Sequence, residues 1–297
     1  MKKVSIITVN YKQVQTTCEF LSSLEMSRKD IFEVIVVDNE GTVDSFSSYE
    51  KAYPGVRVIC SKENLGFAGG NNLGIREAKG DFLFFLNNDT LLPEGTIQTL
   101  LKNFENPEVG AVSPKIIFEG TGGMVQFAGF SKIHPFLGRN HSPGKFQMDL
   151  DLNIQTGETA YLHGAAMMVK KEVIQRVGMM PEDYFLYFEE LAWSQNIKNA
   201  GFKLLVDTEA NIQHKESISI GKISPVRSYY MTRNRLIFMK NYNKPLHHLA
   251  FMIYHSLLVV PKNIFSMIFE KEFRLIKPFL QGALDGLFYK TGQKKFI

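Results

Sequence analysis

Short runs of apolar and β-branched residues alternate with segments of helical period through the first third of the 297-residue chain. Four runs have the length of buried strands, namely Val4–Val9, Glu33–Asp38, Val56–Cys60 and Phe82–Leu86. Helical patterns lie between them at Gln13–Met26 and Ala68–Lys79. Strands that alternate with helices predict an α/β fold with a mainly parallel sheet, whose ligands bind beyond the carboxyl ends of the strands.

The alternation continues to about residue 214, and after Gly221 the chain is helical to its end. Further helices are expected at Glu94–Asn106, Lys171–Val177 and Glu189–Asn199, and further strands at Val109–Phe118, Ala165–Val169, Phe202–Val206 and Ala210–His214. Between residues 125 and 160 prolines and glycines predict an irregular region. The first ten residues, MKKVSIITVN, predict a strand and not a signal peptide, because their apolar run is short and contains polar side chains.

Charge is distributed unevenly along the chain. Residues 1–221 contain 21 Lys and Arg against 27 Asp and Glu, whereas residues 222–297 contain 13 against 3. The basic end predicts contact with anionic lipid, phosphate or nucleic acid, although a solvated basic surface without a partner has the same composition. The two cysteines, Cys18 and Cys60, fit a reducing compartment and weigh against a disulfide scaffold or a structural zinc site.

Residues 245–297 combine apolar clusters with cations. We expect the 13 residues Leu249–Pro261 to be too short to span a bilayer and to be broken by Pro261. A wide apolar stripe follows, formed by Phe265, Ile268, Phe269, Phe273, Ile276, Phe279, Leu280, Leu284, Leu287 and Phe288. Its neighbouring cations are Lys262, Lys271, Arg274, Lys277, Lys290, Lys294 and Lys295. Basic amphipathic helices in a membrane interface explain both features, and packing on the rest of the chain or on a second subunit is the alternative.

Polar side chains gather where the predicted strands end. They are Thr8 and Asn10, then Asp38, then Asn87, Asn88 and Asp89. A carboxylate such as Asp89, in a tight turn beside a cleft, can supply one ligand of a hard divalent cation while diphosphate oxygens complete the shell. Asp38 can accept hydrogen bonds from a base or ribose. Asn and Asp are also favoured in plain turns and caps, so neither signal is specific by itself.

The segment Asn64–Gly74, NLGFAGGNNLG, is rich in glycine and asparagine at the start of a predicted helix. Its glycines allow the backbone to approach a ligand closely, and the first N–H groups of the helix would point towards phosphate. Asn64, Gly66 and Asn72 are its candidate ligand contacts. The spacing is not G-x-G-x-x-G and no Lys-Ser or Lys-Thr follows, which weighs against a dinucleotide-binding turn and a P-loop.

Two adjacent carboxylates, Glu189 and Glu190, begin a helix after the aromatic run in YFLYFEELAW. Adjacent helical residues diverge by about 100°, so one can face a cleft as general base while the other caps or pairs elsewhere. Stabilisation of the first helical turn by both acids is the ordinary alternative. His214 ends the last strand pattern and becomes a candidate metal ligand only if it joins Asp89.

Together these segments resemble the family 2 glycosyltransferases, and most closely the bacterial rhamnosyltransferase branch. The segments VSIITVNYKQ, VIVVDN, ENLGFAGGNNLGI, FLFFLNND, HGAAMMVKKEVIQRVG and YFEELAW, followed by the histidine after ANIQ, occur in the order of that family. The resemblance covers about residues 3–240. Its most specific part is NxGFAGGxNxG with the following NND.

The resemblance implies a GT-A fold, with a Rossmann-like nucleotide-binding sheet and a helical C-terminal appendage. Residues 1–221 would form the catalytic domain, with a donor-binding part to about 118 and an acceptor and base part at 119–221, and residues 222–297 the basic helical region. The donor contacts expected from these motifs are Thr8, Asn10, Asp38, Asn64, Gly66, Asn72, Asn87 and Asn88. Asp89 and His214 would bind Mg²⁺ or Mn²⁺, and Glu190 would be the catalytic base.

The chain departs from the family pattern at the metal and base motifs. Asn87-Asn88-Asp89 has one carboxylate where many relatives have two. Glu189-Glu190 replaces Glu-Asp, so Glu189 competes with Glu190 for the role of base. Ala192-Trp193 stands where Asp-Leu is usual. These departures affect the expected acceptor more than the expected fold.

We therefore expect a peripheral, inverting hexosyltransferase at the cytoplasmic face of the cell membrane. It would transfer L-rhamnose from dTDP-rhamnose to a saccharide or a polyprenyl-diphosphate-linked saccharide during surface polysaccharide synthesis. The alternatives are a UDP-sugar donor such as UDP-Glc, UDP-Gal or UDP-GlcNAc, or a degenerate sugar-binding scaffold. A nucleotidyltransferase would need a basic loop where Asn10–Thr17 offers only Lys12, and no nucleic-acid-binding motif is present. Dimerisation through the C-terminal stripe is the alternative to membrane contact.

Overall fold

The structure is a computed structural model, and it describes residues 3–24, 32–41, 43–151, 153–215 and 224–293. A single mixed sheet of ten strands lies at the centre of the described chain. The strands are β1 (Val4–Tyr11), β2 (Phe32–Asn39), β3 (Arg57–Ser61), β4 (Phe82–Leu86), β5 (Thr90–Leu91), β6 (Val109–Phe118), β7 (Val125–Phe127), β8 (Gly157–Glu158), β9 (Ala166–Lys170) and β10 (Lys203–His214).

Helices surround the sheet and form the C-terminal part of the chain. They are α1 (Val14–Ser23), α2 (Val43–Ala52), α3 (Gly66–Glu77), α4 (Thr96–Lys102), α5 (Lys171–Val177), α6 (Glu189–Asn199), α7 (Pro225–Tyr242), α8 (Pro245–Tyr254), α9 (Val260–Phe269) and α10 (Ile276–Leu287). The expected elements are therefore present with small shifts at their ends. The sequence patterns missed α2 and the short strands β5, β7 and β8, and two expected strands form the single strand β10.

The sheet has the order β3-β2-β1-β4-β9-β6-β10-β5. Strands β1 to β4 are parallel to one another, as expected, but β9 runs antiparallel between β4 and β6. The long pairing of β6 with β10 is parallel as well, so most paired residues lie in parallel ladders, as expected, and the antiparallel pairings are those of β9 and of the short strands β5, β7 and β8. The final strand β10 pairs with β6 and also with β5, which begins at Thr90. This pairing places the end of β10 beside the turn that follows β4.

The sheet separates two apolar cores because successive strand residues point to opposite faces. Ile6 belongs to the core on one face, which includes Phe20 of α1 and Tyr49 of α2. Ile7 belongs to the core on the other face, which includes Trp193 of α6. Helix α3 packs closely on this second face, and a Cβ at Gly70 would lie only 2.8 Å from the Val9 side chain. Burial on both faces makes the first strands read as continuous apolar runs.

The region from Pro245 to Phe269 is continuously helical, because a π-helical turn, His255–Val259, joins α8 to α9. Pro261 lies in the first turn of α9, where its missing N–H is tolerated. The expectation that Pro261 breaks this segment is wrong. Among the described residues this 25-residue helix is the one that is long and apolar enough to cross a membrane, and only 17% of its most apolar window is buried.

Helix α10 packs against α7 through two small residues. A Cβ at Gly282 would lie 2.5 Å from the Tyr229 carbonyl oxygen, and one at Gly286 would lie 2.8 Å from that of Arg233. Within the expected apolar stripe, Phe279 is buried, whereas Leu284 and Phe288 remain exposed. The stripe therefore divides between internal packing and an exposed face.

The expected boundary at residues 221 and 222 lies outside the described residues, as do Lys294 and Lys295. The division of the chain into a catalytic domain and a C-terminal region stays a prediction. The side chains of α7 are nevertheless part of the core that contains Phe188 and Tyr184, so this helix packs directly on the segment preceding α6.

Candidate active site

A cavity of about 470 Å³ opens at the carboxyl ends of β1, β2 and β4, and we call it the strand-end cavity. Five of the expected site residues line it: Asn64, Gly66, Asn87, Asn88 and Asp89. Val9 and Tyr11 line it from β1, since alternate strand residues share a face. The sequence pattern favoured Thr8 and Asn10 instead of these two residues.

Thr8, Asn10 and Asp38 lie behind the cavity and are buried. The Asn10 amide donates to Asp38 Oδ1 at 2.7 Å, and Asp38 Oδ2 accepts from Ser45 at 2.6 Å and from Tyr49 at 3.2 Å. Both oxygens of Asp38 are thus engaged within the protein. The expected contacts of these three residues with a base or ribose stay a prediction.

The start of α3 shapes the wall of the strand-end cavity. Gly66 has a φ of +71°, and a Cβ there would lie 2.2 Å from the Phe185 carbonyl oxygen, so a side chain is excluded. The same oxygen accepts a hydrogen bond from the Phe67 N–H at 2.9 Å. Asn72 does not line this cavity; its amide is buried and binds the backbone of Met180 in both directions.

Asn88 and Asp89 occupy the turn between β4 and β5. The Asn88 amide donates to Thr17 Oγ1 at 2.9 Å, which ties the turn to α1. The pairing of β5 with β10 brings His214 to Asp89 across 125 residues of sequence. His214 Nε2 lies 3.0 Å from Asp89 Oδ1, and His214 Nδ1 lies 2.8 Å from Gln126 Oε1.

The chemistry of this pair fits a divalent cation. Gln126 Oε1 can only accept, so Nδ1 of His214 donates to it and Nε2 faces Asp89. A ring nitrogen this close to a carboxylate oxygen requires a proton or a metal ion between the two atoms. Adjacent ligands of an octahedral ion, each at about 2.1 Å, lie about 3 Å apart. Within the described ranges, no group of three His, Cys, Asp or Glu side chains lies close enough together to hold a metal ion. Oxygen atoms from other groups would therefore have to complete the coordination of the cation.

A second cavity of about 550 Å³ adjoins the first, and we call it the carboxylate cavity. Glu189 and Glu190 line it, together with His163 and His214. Phe67, Asn87 and Leu186 line both cavities, so the two form neighbouring parts of one cleft. The metal-ligand candidates lie at their junction, because Asp89 faces the strand-end cavity and His214 faces the carboxylate cavity.

Burial sets the acid–base character of the two glutamates. Oε2 of each is buried and has no hydrogen-bond partner in the described part of the chain. Burial raises the pKa of Glu190 to about 7, against the opposing effect of backbone N–H groups at the start of α6. Burial, and then the charge of Glu190, raises the pKa of Glu189 well above its ordinary value. A carboxylate with a pKa near 7 is matched to proton removal near neutral pH.

The loop before α6 has an unusual backbone that α7 holds in place. Phe185, Tyr187 and Phe188 have φ values of 62°, 68° and 77°, a conformation that costs about 1–3 kcal/mol per residue. The buried amide of Asn234 lies 2.7–2.9 Å from the carbonyl oxygens of Tyr184, Leu186 and Tyr187.

Arg233 adds a second fixed contact to the same loop. Its guanidinium donates to the Tyr184 carbonyl oxygen at 2.7 Å and its Nε to Asn234 Oδ1 at 2.8 Å. The sequence patterns did not single out this Arg-Asn pair. The signal that could have found it is the polar group TRNR between the apolar residues of YYMTRNRLIFM, which is the pattern of a buried hydrogen-bonding site.

His163 is a further residue that the sequence did not single out as functional. Its Nδ1 accepts from the Ala165 N–H at 3.1 Å, which leaves Nε2 to carry the proton of the neutral ring. Burial, followed by the charges of His214 and Lys145, lowers the pKa of His163 to about 3. His163 therefore lines the carboxylate cavity as a neutral group.

Comparison with known proteins gives the family. The sequence model of glycosyl transferase family 2 matches residues 5–178, more than half of the chain, so the chain belongs to this family. It is 24% identical to the low-salt glycan biosynthesis hexosyltransferase Agl10 of Haloferax volcanii, over 98% of this chain and 92% of the relative. It is also 24% identical to the dTDP-rhamnosyl transferase RfbF of Shigella flexneri, over 89% of this chain and 88% of the relative.

The fold agrees with solved glycosyltransferases of the GT-A type. A mannosyltransferase from Pyrobaculum calidifontis, solved in complex with GDP-Man and Mn²⁺, superimposes with a TM-score of 0.59. The match covers 97% of this chain and 88% of the other at 15% sequence identity, which shows the fold alone. The expected α/β fold of GT-A type with a helical C-terminal part is thereby confirmed.

Proposed function

We propose that this family 2 glycosyltransferase inverts the configuration of the sugar it transfers, and that its donor is dTDP-L-rhamnose. The acceptor would be a hydroxyl of a glycan or lipid-linked glycan in surface polysaccharide synthesis. One observation carries the reaction type: Asp89 and His214 lie at the junction of two cavities, and Glu190, with a buried Oε2 and a pKa near 7, lines the second. Similarity to a dTDP-rhamnosyl transferase supports the choice of donor.

The donor would occupy the strand-end cavity, with its diphosphate near Asp89. Asp89 and His214 would hold Mg²⁺ or Mn²⁺, which when bound would offset charge on the diphosphate leaving group. Asn64, Asn87 and Asn88 line this cavity with amide groups that can donate to phosphate and sugar oxygens. The buried amide of Asn72 would act indirectly, by fixing Met180 at the start of the loop that leads to Glu190.

The acceptor would enter the carboxylate cavity. Glu190 takes the proton of its hydroxyl as the oxygen bonds to the anomeric carbon, and the bond from that carbon to the diphosphate oxygen breaks. A single displacement from the opposite face inverts the anomeric configuration. Burial, and then the charge of Glu190, raises the pKa of Glu189 well above its ordinary value, so Glu190 is the better candidate for the base.

The enzyme would attach peripherally to the cytoplasmic face of a membrane through α8, α9 and the turn between them. Leu257, Phe265 and Phe269 are exposed by 68%, 71% and 81%, far more than an internally packed stripe allows. Lys262 and Lys271 lie on the same segment and are exposed as well. Exposed apolar side chains with flanking cations are typical of interfacial helices on anionic lipid. A second subunit on this face is the alternative occupant.

A nucleotide-sugar panel tests the proposal. Full-length protein with Mn²⁺ is incubated with dTDP-rhamnose, UDP-Glc, UDP-Gal or UDP-GlcNAc and a mixed glycan acceptor, and released nucleoside diphosphate and product are measured. We expect turnover with dTDP-rhamnose, loss on chelation, and a product of inverted anomeric configuration by NMR. Preference for a UDP-sugar would replace the donor, a retained configuration would overturn the mechanism, and binding without any turnover would indicate a scaffold.

A further inference from the structure

The carboxylate cavity is lined by cationic side chains as well as by Glu189 and Glu190. Arg227 and Arg235 line the cavity from α7, and Arg139 and Lys145 line it from the segment after β7. Arg227, Met231 and Arg235 follow at intervals of four residues, which places them on one face of α7 over about 12 Å. The cavity therefore contains four cations and two acids that titrate above their ordinary range.

The protein itself does not neutralise the two arginines at one end of this cavity. Within the described residues, neither Arg139 nor Arg235 has a carboxylate within ion-pair distance, and the buried Nε of Arg235 has no hydrogen-bond partner. Burial, and then the nearby charge of Arg139, lowers the pKa of Arg235. Arg235 is partly buried and Arg139 is exposed. A partly buried guanidinium beside a second one is costly unless an anion pairs with it. Arg235 therefore favours an anion that the described chain does not supply, and Arg139 is accessible to bind the same anion.

The same two arginines adjoin the exposed apolar helix. Tyr254, the last residue of α8, is close enough to Arg235 to raise the pKa of Arg235. The next residue, His255, has its pKa lowered by burial and then by the charge of Arg235. Gly138, next to Arg139, packs on Phe251 of α8 so closely that a Cβ at Gly138 would lie 2.7 Å from the Phe251 ring. The cationic end of the cavity therefore lies where the cleft meets α8, whose outer face exposes Leu249 and Ile253.

We propose that the acceptor is a saccharide joined through a phosphate or diphosphate ester to a lipid, and that Arg139 and Arg235 bind this phosphate. The inference rests on the proposed function, which leaves free and lipid-linked glycans open as acceptors. The accepting hydroxyl lies in the cavity towards Glu190, the phosphate pairs with the two guanidinium groups, and the lipid chain runs along α8 and α9. Guanidinium groups suit this role because they bind phosphate oxygens in a bidentate manner.

Equilibrium binding of decyl diphosphate tests the anion site without turnover. Full-length protein is titrated in EDTA, so that the diphosphate cannot bind through a metal ion, and inorganic pyrophosphate and a decyl uronoside are titrated in parallel. We expect Arg235→Met and Arg139→Met each to weaken decyl diphosphate binding at least tenfold. Arg235→Lys should recover part of this loss, and Arg76→Met, at an exposed position on α3, should change nothing. Thermal unfolding of each variant identifies a folding defect, and if Arg235→Met misfolds, the binding of Arg139→Met decides the question.

Equal binding by all variants would overturn the proposal, and so would tighter binding of the decyl uronoside than of decyl diphosphate. Binding of pyrophosphate as tight as that of decyl diphosphate would overturn the lipid part. A second measurement compares the KM of a sugar presented as its decyl diphosphate and as its neutral decyl glycoside. We expect Arg235→Met to raise the KM of the decyl diphosphate-linked sugar at least tenfold and to change the KM of the donor less than about twofold. An equal rise in donor KM would assign the arginines to the donor diphosphate. Failure of every donor to turn over would refute the proposed function and leave the binding result intact.

Discussion

The strand-end cavity and the carboxylate cavity share three lining residues, yet the chain builds them in different ways. The first is formed largely by the ends of β1, β2 and β4 and the start of α3, all within the first 91 residues. The second combines residues from the segment after β7, the loop before α6, the end of β10 and α7. One cavity follows from local rules of a parallel sheet, and the other depends on long-range packing.

The difference shows which part of the cleft can vary. Polar residues at strand ends are fixed in place by the sheet, and with them the proposed donor end of the cleft. The shape of the carboxylate cavity depends instead on a few hydrogen bonds, such as those of Asn234, to a loop with three strained residues. Substitutions on α7 or after β7 can therefore alter the proposed acceptor end while the sheet is unchanged. Matched substitutions should separate the two cavities by their different responses.

The largest effect is expected from Glu190→Gln. Gln keeps the shape of the side chain but cannot take a proton, so kcat should fall by about 10²–10⁴-fold while donor KM changes little. Glu189→Gln is the matched control and should reduce kcat less. A reversed ranking would move the role of base to Glu189, and two mild effects would exclude a general base at this position.

The pH dependence sharpens the same test. Because burial raises the pKa of Glu190 to about 7, kcat/KM of the parent should fall below pH 7, and Glu190→Gln should flatten this limb. The folded pKa lies above the ordinary value of 4.5, so ionisation of Glu190 lowers the free energy of unfolding as pH rises through 7. Glu190→Gln should thus be more stable than the parent at about pH 8 and equal to it at about pH 4, as measured by urea unfolding.

Asp89→Ala is expected to lower kcat/KM by about 100-fold at limiting Mn²⁺, equivalent to roughly 3 kcal/mol. It removes the single carboxylate of the turn after β4, and the neighbouring amides cannot replace its charge. Asp81→Ala is the control, since Asp81 lies at the other end of the same strand and binds the Lys3 N–H. Titration of Mn²⁺ should show a raised metal requirement for the Asp89 variant alone. Full turnover at limiting Mn²⁺ would refute the metal assignment.

The sequence predicted the strand-end cavity well because its determinants are local. Apolar runs located β1 to β4, and the turn residues after β4 were recognised from composition alone. The error there is a shift by one residue along β1, since Val9 and Tyr11 face the cavity where Thr8 and Asn10 were expected. A shift of one residue exchanges the two faces of a strand.

The sequence predicted less of the carboxylate cavity because its parts meet only in the folded chain. Glu189, Glu190 and His214 were recognised through their order along a family pattern. Arg235 carries no local signal of a cleft, and the polar residues Arg233 and Asn234 indicate only a buried hydrogen-bonding site. Helix α7 was treated as the beginning of a basic appendage. Its role in holding the loop before α6 depends on hydrogen bonds that join residues 48 and 50 positions apart, which no periodicity reveals.

Asn234→Ala should disturb the carboxylate cavity alone. Removal of the amide leaves carbonyl groups of the strained loop without their partner, at a cost of about 1–3 kcal/mol in the free energy of unfolding. We expect kcat to fall about tenfold through misplacement of Glu190, with Mn²⁺ and donor affinity unchanged. Asn241→Ala is the control on the same helix, because Asn241 is exposed and its amide donates to the Tyr289 hydroxyl at 2.8 Å and, among the described residues, to no carbonyl of the loop before α6. Equal effects of the two variants would assign Asn234 to helix stability.

The smallest effect is expected at the outer face of α9, where membrane contact would leave both cavities intact. Full-length protein should pellet with anionic vesicles at low salt and be partly released by added salt, because salt screens the attraction of lysine to lipid but not apolar burial. The double substitution Phe265→Gln and Phe269→Gln should lower the bound fraction, whereas Leu150→Gln, at an even more exposed apolar position outside α9, should not. Point substitutions are sharper than truncation after residue 243, because truncation would also remove α10 from its contact with α7. Absence of binding by the intact protein at low salt would remove the membrane proposal, and a dimer lost in the Phe265 and Phe269 variant would show that a second copy covers this face.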